Sequence, residues 1–290
     1  MRFNQVLSLP LLAGVALAVP TGPSKSIRSD IDARSSPSPS PSPSPSPSPS
    51  TYPYPNIDSV LPPVVPVNTR SGNQELISSL LLAPTQADRV QLLNQPGDYI
   101  FDFNESTAPM GSKSSGLGGS SVAAHAKTMP ALIGNGASMT LGFLGPCGMN
   151  TAHVHNRATE LNVVVQGRLV TNFVLENGSP PIENTLSQYQ MAVFPQGAIH
   201  QEFNPDCEEA VFVAGFNNAD PGVSQVAQNF FSLRGDVVQA TLGGVQTLKG
   251  QDLESFREMI PANVALGIEA CLAKCGIPKN AKRDLGELLR

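Results

Sequence analysis

The sequence predicts a mainly β protein, a β-sandwich or β-barrel flanked by short helices. Short β-type runs follow one another between residues 99 and 216, with glycine and polar residues between them. Many short strands with such turn signals are typical of sandwiches and barrels. Helical spacing of apolar residues is confined to the segments before and after this region. The roughly 220 residues that follow the first 70 suit one all-β domain with a single core.

Residues 1–18 have the pattern of a secretory signal peptide. Arg2 gives a basic start, Val6 to Leu17 is mostly apolar, and Ala18 ends the run among small residues. This run is too short to span a bilayer, and no later stretch approaches the roughly 20 apolar residues of a membrane-spanning helix. We expect cleavage after Ala18 and a secreted protein that is extracellular or associated with a cell wall; the alternative is a retained anchor.

Residues 19–70 are predicted to be a disordered linker. From Ser36 to Ser50 serine and proline alternate strictly. Proline at every second position removes half of the backbone donors, so helix and sheet are excluded and an extended polyproline-like spacer is expected. Its serines can carry O-linked sugars, and the alternative is a proline-rich ligand of another protein.

Residues 71–246 are predicted to form the β domain with an N-terminal extension. In that extension, Gly72 to Asn94 has the apolar spacing of two short helices with a break near Pro84. The predicted strands are Tyr99–Phe103, Ser121–Lys127, Ala137–Leu144, Leu161–Val165, Leu169–Leu175, Gln190–Phe194 and Ala210–Phe216.

Residues 247–290 are predicted to form a helical tail. Helical spacing returns near Asp252 and continues to the end, with Gly276 and Pro278 as a stop signal. On this helix Val264 and Leu272 share one apolar face.

The cysteines at 147, 207, 271 and 275 are expected to form disulfides, because the chain is exported. Four cysteines allow three pairings. Cys271 and Cys275 lie one helical turn apart, so a bond between them would restrain little and would fit helix geometry poorly. We therefore favour bonds from this helix to Cys147 and Cys207, with the pairing left open.

Charge excludes one class of partner. The chain has 18 Lys+Arg and 23 Asp+Glu, and no basic cluster that could follow a phosphate backbone. Nucleic acid is therefore not an expected partner.

The segment TAHVHNRATELNVVVQG, residues 151–167, contains two closely spaced histidines. In a strand, His153 and His155 point to the same face with Cα atoms roughly 6.5–7 Å apart, a spacing that one ion can bridge. Glu160 cannot come from the same straight strand, but residues 156–159 can turn the chain and return it. A third ligand would then arrive from a neighbouring strand.

A second segment, FPQGAIHQEFN at residues 194–204, adds His200 after a Pro-x-Gly turn. Three imidazoles and one carboxylate suit a first-row divalent ion such as manganese or iron. An octahedral ion with four protein ligands keeps two positions for water, dioxygen or substrate. This pattern predicts a metal site that is open to chemistry.

Together the two segments resemble the two conserved motifs of the germin-like and spherulin-like cupins, from about Asp98 to Leu233. The first reads His-x-His, four residues, Glu, six residues, Gly; the second reads Pro-x-Gly, two residues, His, three residues, Asn. The resemblance implies a single cupin, or jelly-roll β-barrel. It also implies a bound Mn²⁺, with Fe²⁺ or another divalent first-row metal as the alternative. The residues that match the family's metal ligands are His153, His155, Glu160 and His200.

The chain departs from the family pattern at three positions. The leading glycines of the two motifs fall on Cys147 and Tyr189, both expected at turns. Germin oxalate oxidases place two asparagines near the ion; Asn150 matches one, and Thr140 stands at the other. Asn150 would orient the substrate or bound oxygen. Thr140 can donate a hydrogen bond but lacks the amide carbonyl, which counts against oxalate as the substrate.

The resemblance implies a manganese-dependent oxidoreductase. It would either oxidise a small anion such as oxalate with dioxygen and release hydrogen peroxide, or dismutate superoxide. Oxalate decarboxylation ranks lower, because decarboxylases of the superfamily resemble two such barrels and this chain has one copy of each motif. The alternatives are a non-catalytic metal-binding wall, matrix or stress-associated protein, or a barrel that binds a small ligand without turnover.

The resemblance also implies a homo-oligomer, since germins form hexamers of paired barrels through their terminal helices. The Val264–Cys275 stripe offers an apolar contact surface. Outside the motifs, His125 is interpreted as an ordinary strand histidine. Asn104 and Asn177 begin N-glycosylation sequons.

Overall fold

The computed structural model describes residues 61–244, 247–248, 251–261 and 263–278. The predicted signal peptide and the Ser-Pro run lie outside these residues, as does the end of the predicted tail. The domain bounds given above remain predictions. Within the described ranges no helix is both long enough and apolar enough to cross a membrane.

The strands are numbered in chain order through the described residues. They are β1 Lys113–Gly116, β2 Gly119–Ala124, β3 Ser138–Leu144, β4 Gly148–Val154, β5 Glu160–Gln166, β6 Arg168–Val174, β7 Ile182–Ser187, β8 Met191–Phe194, β9 Ile199–Phe203, β10 Ala210–Phe216, β11 Ser224–Gln225, β12 Thr247–Leu248, β13 Gln251–Asp252 and β14 Val264–Leu266.

Two antiparallel sheets form the jelly roll. The first has the strand order β1-β2-β3-β10-β5-β8, and the second has the order β11-β4-β9-β6-β7. Strand β14 also pairs with β4, and β12 pairs with β13 separately. Residues alternate between the two faces of each strand, so one set of side chains points between the sheets. The main core of this interior comprises Leu144, Ala158, Val164, Leu169, Leu186, Ala192, Phe194, Ala210, Phe212, Ala214, Phe216 and Val264.

Two short helices precede the barrel, as predicted. Helix α1 spans Gln74–Leu82 and begins at Asn73, whose side chain accepts a hydrogen bond from the Leu76 amide. Helix α2 spans Gln86–Leu92, and Thr85 with Asp88 forms a capping box at its start. The extended Ala83 and the capping turn at Thr85 separate the two helices, which explains the predicted break near Pro84.

The predicted strand Tyr99–Phe103 is wrong. The backbone N–H and C=O of Asp102 are hydrogen-bonded to the side chain of Asn68 instead of to a neighbouring strand. Asp102 in turn accepts hydrogen bonds from the Asn104 amide and the Thr107 hydroxyl. These side-chain contacts compete with a sheet ladder and fix an irregular loop.

Short helices follow the barrel as predicted, but the predicted helical face from Val264 to Cys275 is wrong. The helices after the barrel are short: α3 Val226–Phe230, α4 Gly235–Thr241, α5 Leu253–Glu258 and α6 Glu269–Lys274. Val264 lies in β14, where it pairs with Asn150 of β4, and it is buried. Pairing with the free edge of β4 outweighs helical spacing here, so the predicted helical stripe from Val264 to Cys275 does not exist.

Two disulfides attach α6 to the barrel. Cys147 bonds Cys271, and Cys207 bonds Cys275. The expectation that both cysteines of the helix bond elsewhere is confirmed. Cys147 lies directly before β4 and Cys207 follows β9, so both bonds anchor the helix beside the strands that carry the motifs.

Candidate metal centre

Two of the predicted metal ligands come from the end of β4. His153 lies on the strand and His155 follows its last residue, Val154, so the spacing of two residues points both side chains to the same face. Both are buried, and their ring centroids lie 5.1 Å apart. The strand hypothesised for this histidine pair is present but ends one residue before His155, and both imidazoles point into the barrel.

The other two predicted ligands come from other strands. Glu160 is the first residue of β5, which follows the predicted turn but lies in the opposite sheet, not beside β4. His200 of β9 is the direct register partner of His153. Both sheets therefore contribute to the group.

The four side chains converge on one point. Their candidate donor atoms all lie within 4.8 Å of one another. Glu160 Oε2 is 3.1 Å from His155 Nε2 and 3.1 Å from His200 Nε2. The structure thus brings together His153, His155, Glu160 and His200 as a group that could hold a metal ion.

Backbone carbonyls orient all three imidazoles. His153 Nδ1 lies 2.8 Å from Thr151 O, and His200 Nδ1 lies 2.9 Å from Ala198 O. His155 Nδ1 makes the same kind of contact with Gly222 O. Because a carbonyl only accepts, each Nδ1 carries a proton, so a bound ion would take the Nε2 of each ring in place of any proton held there. This arrangement is typical of metal-binding histidines.

Burial and mutual contacts shift the pKa values in this group. Burial, together with repulsion from His200, lowers the pKa of His153 to about 3. Burial also disfavours charge on His200, but the hydrogen bond to Glu160 and the charges of Glu202 and Glu160 together outweigh it and raise the pKa of His200 to about 9. Burial acts against charge on Glu160 as well, yet hydrogen bonds from His155 and His200 hold the pKa of Glu160 below its ordinary range. Glu160 is therefore an ionised carboxylate that attracts a proton or a metal cation.

The donor set fits a divalent first-row metal. Three imidazole nitrogens and one carboxylate oxygen satisfy the mixed preference of manganese, iron and related ions. One buried carboxylate needs compensating positive charge, which a cation at this point would supply. The cysteines at 147, 271 and 275 also lie close together, but they are joined in disulfides.

Two buried polar residues beside this group were not predicted from the sequence. Glu202 and Asn162 are fully buried, and Asn162 Nδ2 donates to Glu160 Oε1 over 3.0 Å. Burial and the charge of Glu160 raise the pKa of Glu202 to about 8. Each lies two residues beyond a predicted ligand on the same strand, so period-two alternation would have placed them on the inward face.

The predicted catalytic residues Asn150 and Thr140 both line the cavity next to the group. Asn150 Nδ2 donates to Glu202 Oε2 over 2.9 Å, while Asn150 Oδ1 is buried and has no partner among the described residues. Thr140 lies on β3, opposite Ala123 of β2 and Ala214 of β10.

A cavity of about 510 Å³ leads to the metal-binding group. Its mouth is formed by exposed residues that include Lys113 and Asp220. His125 also lines it, beyond the end of β2, and its Nδ1 accepts a hydrogen bond from the Lys127 amide over 3.3 Å. His125 therefore lies directly after a strand and not within one, and its interpretation as an ordinary histidine stays a prediction. Only the topology that brings β2 over the cavity reveals this position.

Residues 106–244 match the family model of the cupins. The chain is 41% identical to spherulin-1A of Physarum polycephalum over 206 residues, which cover 71% of this chain and 81% of that protein. It is 29% identical to putative germin-like protein 3-2 of Oryza sativa subsp. japonica over 164 residues, which cover 57% of this chain and 72% of that protein.

A solved structure with a similar chain is a recombinant oxalate oxidase in complex with glycolate. The two chains are 26% identical with a TM-score of 0.46, over 52% of this chain and 77% of that chain.

Proposed function

The chain belongs to the cupin family as a relative of spherulin-1A and germin-like proteins, and from that premise we propose that it is a secreted, manganese-dependent oxidoreductase acting on a carboxylate. One observation carries this proposal: three oriented imidazoles and an ionised carboxylate converge at the wall of a cavity of about 510 Å³. A closed structural site would not need such access.

The residues of this site would bind the ion, position the ligand and exclude water. His153, His155, Glu160 and His200 would hold the ion. When bound, manganese supplies a redox couple and a Lewis acid for an anionic ligand. Asn150 and Thr140 would position the ligand, because both line the adjoining cavity. Phe216 packs against His155 at 4.5 Å between ring centroids and keeps water from that side of the group.

Oxidation of a carboxylate by dioxygen is favoured over dismutation of superoxide. Superoxide has two atoms and needs only a narrow passage, whereas the cavity measures about 510 Å³ and offers hydrogen-bonding side chains. The reaction balances when two electrons and two protons reach dioxygen and form hydrogen peroxide. For oxalate the other product is two molecules of carbon dioxide.

Export is supported by two features. Residues 1–18 have the signal pattern, and the described cysteines are joined in two disulfides, which persist in oxidising compartments. N-terminal sequencing of protein recovered from the medium or wall should begin at Val19. An intact Met1 on the exported protein would contradict this prediction.

Self-association is supported by the outer face of the first sheet. Met139, Gly215, Leu161 and Val193 form one row across β3, β10, β5 and β8, and the three larger side chains are each more than 40% exposed. Apolar patches of this kind mark interaction surfaces. We propose that a second copy of the chain covers this face with its own copy of the same face. A two-fold dimer brings identical patches together, and an uncharged row sets no like charges against each other.

Metal content is the first test. Mature protein should hold about one manganese per chain, and the double variant His153→Ala/His155→Ala should lose it. His125→Ala is the matched control, since His125 is the one histidine of the chain outside the group, and it should keep the metal. Unchanged manganese content in the double variant would refute the ligand assignment.

Turnover is the second test. Manganese-loaded protein should release hydrogen peroxide when supplied with a carboxylate and dioxygen, and superoxide loss is measured in parallel. Full manganese occupancy with neither activity would refute the oxidoreductase and favour the non-catalytic wall or matrix protein. Superoxide loss alone would replace the carboxylate reaction with dismutation.

A further inference from the structure

The cavity is much larger than a two-carbon substrate requires. Oxalate has six non-hydrogen atoms, so it would fill at most roughly 180 Å³ even if each atom took the about 30 Å³ of a liquid water molecule. The cavity measures about 510 Å³, which lies within the range of sites that bind larger organic ligands.

Small side chains create this space. Ala123, Thr140 and Ala214 lie side by side on β2, β3 and β10, and all three line the cavity. In the next row Gly142 lies between Ser121 and Phe212. Larger side chains in the first row would fill the cavity from its floor.

Two aromatic rings give the cavity apolar walls. Phe212 and Phe216 lie on either side of Ala214 along β10, and all three point inward. The Phe212 ring lies over Gly142, where an added Cβ would come within 2.2 Å of it. Phe216 contacts His155, so the apolar wall begins directly at the metal-binding group. An apolar body bound here would bury itself against both rings.

The cavity lining also contains a buried hydrogen-bond acceptor without a partner among the described residues. Asn150 Nδ2 donates a hydrogen bond to Glu202. Asn150 Oδ1 is then the atom of the amide that accepts no hydrogen bond from the described residues. A buried acceptor without a partner costs free energy until a donor meets it. A hydroxyl group next to the acid end of a ligand supplies such a donor, whereas oxalate at neutral pH supplies none.

We propose that the substrate is a 2-hydroxy acid with an aromatic or branched apolar body, an inference that rests on the proposed oxidoreductase function. Its carboxylate and hydroxyl lie at the metal-binding group, the hydroxyl donates to Asn150, and its body lies between Phe212 and Phe216 over Ala214. Oxidation converts the 2-hydroxy group to a 2-oxo group. The hydrogens of the C–H and O–H bonds leave as two protons, and these protons and two electrons pass to dioxygen and give hydrogen peroxide.

The test compares two probes that share the acid and hydroxyl groups. Glycolate has no body, and 3-phenyllactate adds a benzyl group. Their dissociation constants are measured by calorimetry on manganese-loaded mature protein without oxygen. We expect 3-phenyllactate to bind at least tenfold more tightly than glycolate. Affinities within a factor of two of each other would overturn the proposal.

Filling the cavity floor should remove this preference. In Ala214→Leu the advantage of 3-phenyllactate over glycolate should fall at least tenfold, and manganese content is measured on the same sample. Ala240→Leu, at an exposed position of α4, is the matched control and should keep the preference. If Ala214→Leu does not fold, Ala123→Leu tests the same floor. An undiminished preference in the folded variant would overturn the proposal.

Failure of the proposed function gives a different result. If the mature protein holds no manganese, the oxidoreductase proposal fails, and the same probes are titrated into metal-free protein. If metal-free protein binds 3-phenyllactate more tightly than glycolate and Ala214→Leu abolishes this difference, the proposed ligand class is still supported. If the two probes bind equally, the proposed ligand class is overturned. Tight binding of 3-phenyllactate without peroxide release would refute the reaction and leave the ligand class supported.

Discussion

Asn150 and His153 of β4 line the same cavity although they are three positions apart. In a regular strand an odd spacing would place them on opposite faces. The pairing of β4 with β9 shifts register between these two residues, as in a β-bulge. The irregularity returns Asn150 to the inner face, where it reaches Glu202, and bulges of this kind commonly re-aim side chains at active sites.

Replacing Asn150 should impair turnover without removing the metal. Asn150→Ala deletes the amide that holds Glu202 and faces the ligand, and a lost hydrogen bond of about 1–3 kcal/mol corresponds to a roughly ten- to hundredfold fall in kcat/KM. Peroxide release and manganese content are measured together. Asn177→Ala, at an exposed position, is the control and should change neither. Unchanged kcat/KM in Asn150→Ala would contradict the positioning role.

Replacing Tyr189 with glycine should stabilise the protein. Tyr189 has φ 66° and its side chain is 78% exposed, so it adopts a left-handed conformation without the compensation of burial. That conformation costs a non-glycine residue roughly 1–2 kcal/mol, and the greater freedom of glycine in the unfolded chain offsets part of the gain. We expect the free energy of unfolding in urea to rise by about 0.5–1 kcal/mol.

Tyr99→Gly is the matched control for this substitution. Tyr99 is 52% exposed and has an ordinary φ, so glycine there should lower the free energy of unfolding. Equal effects at the two positions would show that backbone conformation is not the cause.

Asp206 should make stability depend on acid pH. It accepts hydrogen bonds from Arg168 and from Lys274, and the Arg168 contacts hold its pKa below the ordinary value of 3.8. Because the folded pKa is depressed, this contribution is present above the unfolded pKa and is lost as pH falls through the folded pKa. Asp206 is partly exposed, so Asp206→Asn should cost only about 1 kcal/mol at pH 7.

The measurement is thermal unfolding of metal-free protein at pH 7 and at pH 2. The difference between wild type and Asp206→Asn should shrink at the lower pH. Asp220→Asn, which breaks the more exposed pair with Arg157, should have the smaller effect at pH 7. A difference that grows as pH falls would have the wrong sign for this ion pair.

Charge on the outer face of the first sheet should prevent self-association. Leu161→Asp places a carboxylate in the middle of the apolar row that we propose to be covered by a second copy. Light scattering should show oligomers for wild type and monomers for this variant, with manganese content unchanged. Leu117→Asp, at an exposed position between β1 and β2, is the control. Monomeric wild type would refute the homo-oligomer.

The local sequence pattern correctly predicted strands whose bounds depend mainly on their own residues and the adjoining turns. Strands β3 and β10 lie within one residue of their predicted bounds, because each is a seven-residue β-type run bounded by turns. The metal-binding group was also predicted, since alternation on β4 and the two motifs relate its members. Cys147 and Tyr189 stand where the family has glycine, and both have positive φ. The turns they occupy are thus those the motifs implied.

The features that depend on pairing between distant segments of the chain were not predicted. Residues 264–266 form a strand only because the edge of β4 accepts them, and no local pattern encodes that edge. The cavity has the same origin. Ala123, Thr140 and Ala214 are unremarkable along the sequence, and they acquire a role once β2, β3 and β10 align them. For this reason Thr140 could be recognised as a candidate residue but not as part of a cavity floor.

The attachment of α6 has a consequence for how the protein is made. All four side chains of the metal-binding group have been synthesised once residue 200 leaves the ribosome, yet β14 and both half-cystines of α6 follow much later in translation. The disulfides close loops of 124 and 68 residues, so α6 is attached beside the two motif strands only after the C-terminal part has been synthesised and its cysteines oxidised. With the export and metal binding that we propose, the metal-binding group would therefore reach its final anchored form only in the compartment in which the disulfides form.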